Sequence, residues 1–242
     1  MKNLHNSKET LQDDGSVFSS PLQRRSFLQF AGAGLAGMAL VAAGCKKDSE
    51  IGDPIPGTGA TLDFKTDVGV LNYAYALEQL EAAFYIQVAS APPSTFTANE
   101  KAYFQDIQFH EIAHREFFKK ALGTAAIGSL EVDFSSITFT DKASVLATAM
   151  AFEDLGVAAY NGAGLRLTDT NNLLAAGKIV SVEARHAAYI RDLVSYGSFA
   201  NLTTLTALGA DNAGGLDAAL TPDKVLPIAA KYIKTKINVI NL

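Results

Sequence analysis

The sequence of 242 residues contains one cysteine, four histidines and no excess of basic residues. A single cysteine, Cys45, cannot form a disulfide within the chain, so disulfide-stapled folds are excluded. The net charge is −5 and the lysines and arginines are scattered, which argues against a nucleic-acid partner. What remains is a chain with 48% apolar residues, long enough to bury a large core in one domain.

The chain also lacks a long, strongly apolar run. Residues Phe30–Gly44 form a short, weakly apolar segment rich in Gly and Ala, which disfavours the alternative of a transmembrane anchor. The preceding Arg24-Arg25-Ser26-Phe27-Leu28-Gln29 resembles the twin-arginine export signal, and Ala42-Ala43-Gly44-Cys45 resembles a lipoprotein cleavage site. These resemblances predict an export signal over residues 1–45 that ends at a lipidated Cys45. They imply a protein exported in the folded state and held by lipid alone in a bacterial cell envelope, facing the periplasm or the cell surface.

Beyond the signal, the sequence predicts a linker and four helices. Residues 46–66 are rich in Asp, Gly and Pro and are expected to be a flexible linker. Four segments with the apolar spacing of helices follow. Thr97-Ala98-Asn99-Glu100 has the pattern of a capping box, and Gly123 ends the helix that begins there. The predicted helices span residues 67–90, 98–122, 141–166 and 173–196.

The connections between these helices are short, long and short. Thr124–Thr140 shows no helical period, and Val132, Ile137 and Phe139 favour extended backbone there. We interpret this stretch as a long crossover between helices 2 and 3, a known topology of four-helix bundles. The predicted fold class is therefore all-α, with the bundle over residues 67–196 and a C-terminal extension over 197–242 that packs on it.

Two short motifs place a Glu three residues before a His. Glu111 precedes His114 in the second helix, and Glu183 precedes His186 in the fourth. At this spacing the two side chains are neighbours on one helix face, and in both helices that face is the apolar one. Carboxylates that face a core are costly unless they are compensated, and a metal ion would compensate them.

The first and third helices also resemble each other. Glu78 is followed by Tyr85, and Glu153 by Tyr160, each seven residues or two turns later, so Glu and Tyr share a face. The separation between this Glu and the Glu of the next Glu-x-x-His motif is 33 residues in the first half and 30 in the second. Each half is thus a helix with a Glu followed by a helix with Glu-x-x-His.

Two single Glu residues and two Glu-x-x-His pairs are the ligand set of di-iron and di-manganese carboxylate bundles. In these motifs the chain resembles the ferritin-like superfamily, especially the exported ferritin-like domain proteins of bacteria. The resemblance implies a ferritin-like bundle that holds two Fe or Mn ions, with Glu111 and Glu183 as bridges between them. It also implies that Tyr85 and Tyr160 hydrogen-bond the bridging carboxylates. The six implied ligands are Glu78, Glu111, His114, Glu153, Glu183 and His186.

The implied chemistry is redox at the metal pair. Oxygen and imidazole ligands suit iron and manganese, and four carboxylates balance the charge of two divalent cations. The resemblance implies Fe(II) oxidation, oxygen reduction or peroxide removal, with metal ions and a small oxidant as partners. The long tail and the lipid tether depart from cage-forming subunits, so a storage shell is not expected.

One choice of ligand needs a further argument. Glu81 also faces inward from the first helix. Its counterpart in the repeat is Gly156, whereas Glu78 corresponds to Glu153. We therefore predict Glu78 as the ligand and Glu81 as a neighbour of the ligands.

Two other functions stay open from the sequence. His110-Glu111-x-x-His114 matches the zinc-protease helix motif, in which both histidines bind zinc and the Glu is the general base. The crossover offers no third ligand on a helix, however, and Val182 stands in the place of His110 in the repeat, so we expect His110 to lie beside the ligands. The other alternative is a non-catalytic, lipid-tethered bundle that has a structural or binding role.

Overall fold

The structure, a computed structural model, describes residues 59–242. The predicted export signal and Cys45 lie outside these residues, as does the predicted linker up to residue 58. Among the described residues, no helix has the length and apolar content that a bilayer span requires. Four long helices form most of this part of the chain: α1 (Asp67–Ser90), α2 (Ala98–Leu122), α3 (Lys142–Gly164) and α4 (Thr170–Val194).

Local signals in the sequence set the helix ends. The capping box at the start of α2 is formed as predicted: Thr97 Oγ1 accepts from the backbone N–H of Glu100, and the Glu100 carboxylate accepts from that of Thr97. Asp141 caps α3 by accepting from two backbone N–H groups. At the end of α2, Gly123 has a φ of 55°, a conformation that glycine adopts without strain.

The four helices surround one apolar core. α1 packs along α2 and α3 packs along α4, and α1 and α3 also meet in the centre. Both of these central helices are buried nearly all round, as the apolar sequence of the first helix predicts. Phe84 of α1 stacks edge to face on Phe152 of α3, with ring centroids 5.2 Å apart. The prediction of an all-α four-helix bundle is confirmed.

The crossover between α2 and α3 is held by a polar side chain of α1. Asn72 donates from Nδ2 to the carbonyl of Ala125 at 2.8 Å and accepts at Oδ1 from the N–H of Ile127 at 2.8 Å. The extended backbone expected here amounts to one bridge, between Val132 and Ile233. The crossover thus takes its shape from contacts with the bundle and the tail, not from a strand of its own.

The stretch predicted as linker, residues 46–66, contains a strand in its described part. Strand β1 (Ala60–Asp63) pairs in parallel with strand β2 (Ile237–Ile240) and forms a two-stranded sheet. Leu62 is fully buried, and Phe64 joins the same core. The alternation of apolar and polar residues from 61 to 64 is a strand pattern, but its partner strand lies 177 residues away in the sequence, from Ala60 to Ile237.

The tail packs against α3 and carries one further α-helix, α5 (Pro222–Ala229), which follows Thr221 and has a proline as its first residue. The N–H of Leu220 donates to the carbonyl of Ala158 in α3 at 2.9 Å. This contact requires Gly162, because a Cβ atom there would lie 1.8 Å from the Leu220 carbonyl oxygen. A glycine in the last turn of α3 therefore lets the tail approach the helix backbone.

Candidate metal centre

Six acidic and imidazole side chains meet between the four long helices. α1 and α3 contribute one carboxylate each, whereas α2 and α4 each contribute a carboxylate and an imidazole one turn apart. All four carboxylates are buried, three of them with no exposed surface at all. Isolated carboxylates are almost never buried to this extent. The six residues are Glu78, Glu111, His114, Glu153, Glu183 and His186.

The first group of donors surrounds Nδ1 of His114. This nitrogen is 2.8 Å from Glu183 Oε1, 3.6 Å from Glu78 Oε2 and 3.7 Å from Glu111 Oε2. One donor atom from each of the four residues lies within 4.8 Å of every other. Three carboxylate oxygens and one imidazole nitrogen can hold a single cation at this spacing.

The second group surrounds Nδ1 of His186. This nitrogen is 2.9 Å from Glu111 Oε1, 3.4 Å from Glu153 Oε2 and 3.4 Å from Glu183 Oε2. Glu111 and Glu183 therefore belong to both groups, and each turns one oxygen toward either imidazole. Shared carboxylates of this kind are able to bridge two cations.

Most of the carboxylate oxygens and Nδ1 atoms of the six side chains are not used in hydrogen bonds to residues outside the cluster. Among residues 59–242, nine buried side-chain nitrogen and oxygen atoms have no partner in hydrogen-bond geometry, and eight of them belong to the six clustered side chains. The short imidazole–carboxylate distances of 2.8 and 2.9 Å are contacts within the cluster itself. Buried polar groups are normally satisfied, so a concentration of unpartnered donor atoms at one point requires a compensating group. Two divalent cations would supply it, since the carboxylates bring four negative charges. The residues present fit a pair of metal ions.

The electrostatics of the cluster favour extra positive charge. Burial raises the pKa of Glu111 to about 8 and that of Glu153 to about 7. Burial lowers the pKa of the His186 imidazole, but the surrounding carboxylates, Glu153 foremost, outweigh it and raise that pKa to about 12. Protons and metal cations therefore compete for the same oxygen and nitrogen atoms.

Two tyrosines support the carboxylates that belong to only one group. The Tyr85 hydroxyl donates to Glu153, and the Tyr160 hydroxyl donates to Glu78. The prediction that these phenols bind the bridging carboxylates, Glu111 and Glu183, was wrong. Each Tyr lies two turns, about 10 Å, from the Glu on its own helix. It binds instead the Glu of the facing helix: Tyr85 of α1 binds Glu153 of α3, and Tyr160 of α3 binds Glu78 of α1.

Glu81 lies beside the cluster and belongs to neither donor group. It is buried, and burial together with the negative charges of Glu111 and Glu183 raises its pKa well above the usual range, which favours a protonated side chain. Gly156 makes room for it, since a Cβ atom there would lie 3.1 Å from Glu81 Oε1. The absence of a side chain at Gly156, the repeat counterpart of Glu81, thus leaves the space that the Glu81 carboxyl group occupies.

Comparison with known families agrees with this arrangement. The model of a family described as the ferritin-like domain matches residues 66–196, more than half of the chain. The chain belongs to the ferritin-like domain family. The matched residues run from the start of α1 to just beyond α4 and contain all six clustered side chains. No curated protein matches the sequence.

His110 lies next to the cluster of this ferritin-like domain without joining either donor group. Its Nδ1 is 2.9 Å from Nε2 of His186, on the opposite side of that ring from the carboxylates. The zinc-protease motif requires both histidines to bind one zinc ion. His110 and His114 do not belong to a common donor group, so the structure does not have this arrangement. Sequence spacing alone could not show which residue His110 contacts, because the contact joins α2 to α4.

One buried ion pair next to the cluster was not expected from the sequence. Arg191 of α4 donates from Nε and Nη2 to the two carboxylate oxygens of Asp154 in α3, at 2.8 and 2.6 Å. It also donates to Thr204 in the tail at 2.7 Å. Asp154 directly follows Glu153, so the pair fixes this part of the ferritin-like domain. A charged residue within the otherwise apolar α3 sequence was the only signal for it.

Proposed function

We propose that this ferritin-like protein binds two Fe or Mn ions at the six clustered side chains and uses them in redox chemistry. The observation that carries the proposal is the pair of overlapping donor groups, in which Glu111 and Glu183 each turn one oxygen toward either imidazole. A site with mostly oxygen ligands and one imidazole per ion suits iron or manganese, whereas structural zinc sites are mostly built from Cys and His.

Charge supports a pair of ions over a single one. Four carboxylates and two neutral imidazoles carry a charge of −4, which two divalent cations would cancel. A single divalent ion would leave two buried negative charges without compensation, a state that is costly in a low-dielectric interior. Each ion would have three carboxylates and one imidazole around it.

A bound metal pair would supply electron transfer to or from oxygen, peroxide or free Fe(II). The residues of the chain hold and orient the pair, and the bundle core around them limits access of water. Tyr85 and Tyr160 fix one oxygen of Glu153 and Glu78, which leaves the second oxygen of each for a cation. The carboxyl group of Glu81 stands close enough for its pKa to respond to the cluster and can hold a proton there.

The location proposed for the protein is the bacterial cell envelope. The Arg24-Arg25 motif and the sequence before Cys45 support export in the folded state and attachment through a lipid on Cys45. Folded export suits a protein that takes up its metal before it crosses the membrane. Replacement of Cys45 by Ser should release the protein from the membrane fraction, and replacement of Arg24 and Arg25 by Lys should retain it in the cytoplasm.

Elemental analysis of the protein after expression is the direct test of the metal site. Two iron or manganese ions per chain, together with oxygen or peroxide consumption that depends on them, are the expected results. One zinc ion per chain would favour the protease motif instead. A chain that binds no metal under any loading condition would refute the proposal and favour a structural or binding role.

A further inference from the structure

His110 contacts one of the two donor groups and not the other. Its Nδ1 is 2.9 Å from Nε2 of His186, and the two rings meet edge to edge, with centroids 5.1 Å apart and planes inclined by 11°. On the other side of the His186 ring, Nδ1 faces the carboxylates of its donor group. His186 thus connects the buried cluster to the exposed side chain of His110.

The direction of this hydrogen bond follows from the position of the donor group. An imidazole that binds a cation through Nδ1 keeps its proton on Nε2. His186 must therefore donate from Nε2, and His110 must accept at Nδ1, with its own proton on its Nε2. A partner that accepts from the distal nitrogen of a metal-binding imidazole holds the ring in place and makes the ligating nitrogen more basic.

The internal repeat shows that this support is one-sided. His110 directly precedes Glu111, and the residue that directly precedes Glu183 is Val182. Val182 therefore corresponds to His110 in the repeat, and His114 corresponds to His186. A valine side chain cannot accept a hydrogen bond, so the His114 ring has no equivalent support from this position.

We propose that His110 is a positioning residue that makes the two metal positions unequal, so that the position at His186 binds its ion more tightly than the position at His114. The inference rests on the proposed two-metal site. The donors of the two groups are of the same kind, three carboxylates and one Nδ1, and the two bridging carboxylates are common to both. A difference in affinity therefore points to groups around the ligands. Glu81 and His110 both lack a counterpart in the repeat, and His110 is the one that contacts a clustered imidazole through a hydrogen bond.

Anaerobic calorimetric titration of the metal-free full chain with Mn²⁺ tests this inference. The unmodified protein should bind two ions with two distinct dissociation constants. His110→Ala should weaken the tighter site by about 10- to 100-fold and leave the weaker one unchanged, a range typical for loss of a partner of a metal-binding His. His110→Asn should restore tight binding, because the Asn amide oxygen can accept at the place of Nδ1. Val182→Ala is the matched control and should change neither constant.

The possible outcomes separate this inference from the two-metal site. A protein that binds no pair of Mn²⁺ ions overturns the site itself, whereas two ions with affinities that His110→Ala leaves unaltered overturn only the role of His110. If Asn and Ala weaken binding equally, the hydrogen bond is not the cause and the inference fails. Circular dichroism of each metal-free variant shows whether it folds. If His110→Ala does not fold, the folded His110→Asn decides: binding like that of the unmodified protein supports the inference, and weak binding overturns it.

Discussion

Replacement of Glu111 by Gln should remove both metal ions from the site. The change keeps the shape of the side chain but removes one negative charge, and it leaves one oxygen where two now face the two imidazoles. A unit charge about 4 Å from a cation is worth about 4 kcal/mol per cation charge at the effective dielectric of a protein site. This energy corresponds to roughly three powers of ten in a dissociation constant. Since Glu111 belongs to both donor groups, both ions should be affected.

Glu81→Gln is the matched control. It also changes a buried Glu to Gln near the cluster, but Glu81 belongs to neither donor group. The raised pKa of Glu81 favours its protonated form, which Gln resembles in shape and charge. We therefore expect less than about tenfold weakening of metal binding from this change, since no ligand and no ligand charge is lost.

Metal content by mass spectrometry and Mn²⁺ affinity by calorimetry would compare the two variants. A melting curve without metal completes the assay: because burial raises the pKa of Glu111, its neutral replacement should melt at a temperature equal to or above that of the unmodified protein. A Glu111→Gln protein that folds and still binds two ions with unchanged affinity would refute the bridging role. If Glu111→Gln and Glu81→Gln weaken metal binding equally, the cause is the loss of a carboxyl group near the cluster and not the loss of a metal ligand.

Four further predictions concern stability. The metal-free protein should lose stability as the pH rises from about 5 to 8, because the raised pKa values of Glu111 and Glu153 mean that the folded state holds protons that the unfolded state releases. Denaturant unfolding at several pH values checks this, and a rise in stability over the same range would contradict it. Asp154→Ala should cost about 3–5 kcal/mol in unfolding free energy, since it leaves a buried arginine without its partner. Gly162→Ala should destabilise by about 1–3 kcal/mol through its clash with the tail, whereas Gly177→Ala, at an open position in α4, should stabilise by about 0.5–1 kcal/mol.

The helices and the clustered side chains could be predicted because their signals are local. Apolar spacing, the Thr97–Glu100 capping box and Gly123 act within one or two turns, and they define α1 and α2 almost to the residue. The repeat of Glu followed by Glu-x-x-His predicted which side chains share a face. In a bundle with one core, side chains on four inward faces at similar heights have to meet. In the structure Glu78, and not Glu81, belongs to a donor group.

The features that could not be predicted depend on contacts between distant segments. Tyr85 and Tyr160 bind carboxylates on the facing helix, a choice that depends on the relative height of α1 and α3. The crossover takes its shape from Asn72, a polar residue in an apolar helix whose partners are about 50 residues away. Strand β1 lies in the stretch predicted as linker, because four residues carry only a weak strand pattern until their partner strand is known.

The parallel pairing of β1 and β2 has a consequence for the order of folding. Residues 60–63 bond to residues 237–240, so the sheet closes a loop that contains the entire bundle. During synthesis the helices can associate as they leave the ribosome, but the β1–β2 sheet cannot form completely until residue 240 has emerged. Leu62 stays without its strand partner until then. Removal of residues 237–242 should therefore give a bundle that still forms its helices but exposes an unpaired, partly apolar strand, the kind of edge through which chains aggregate.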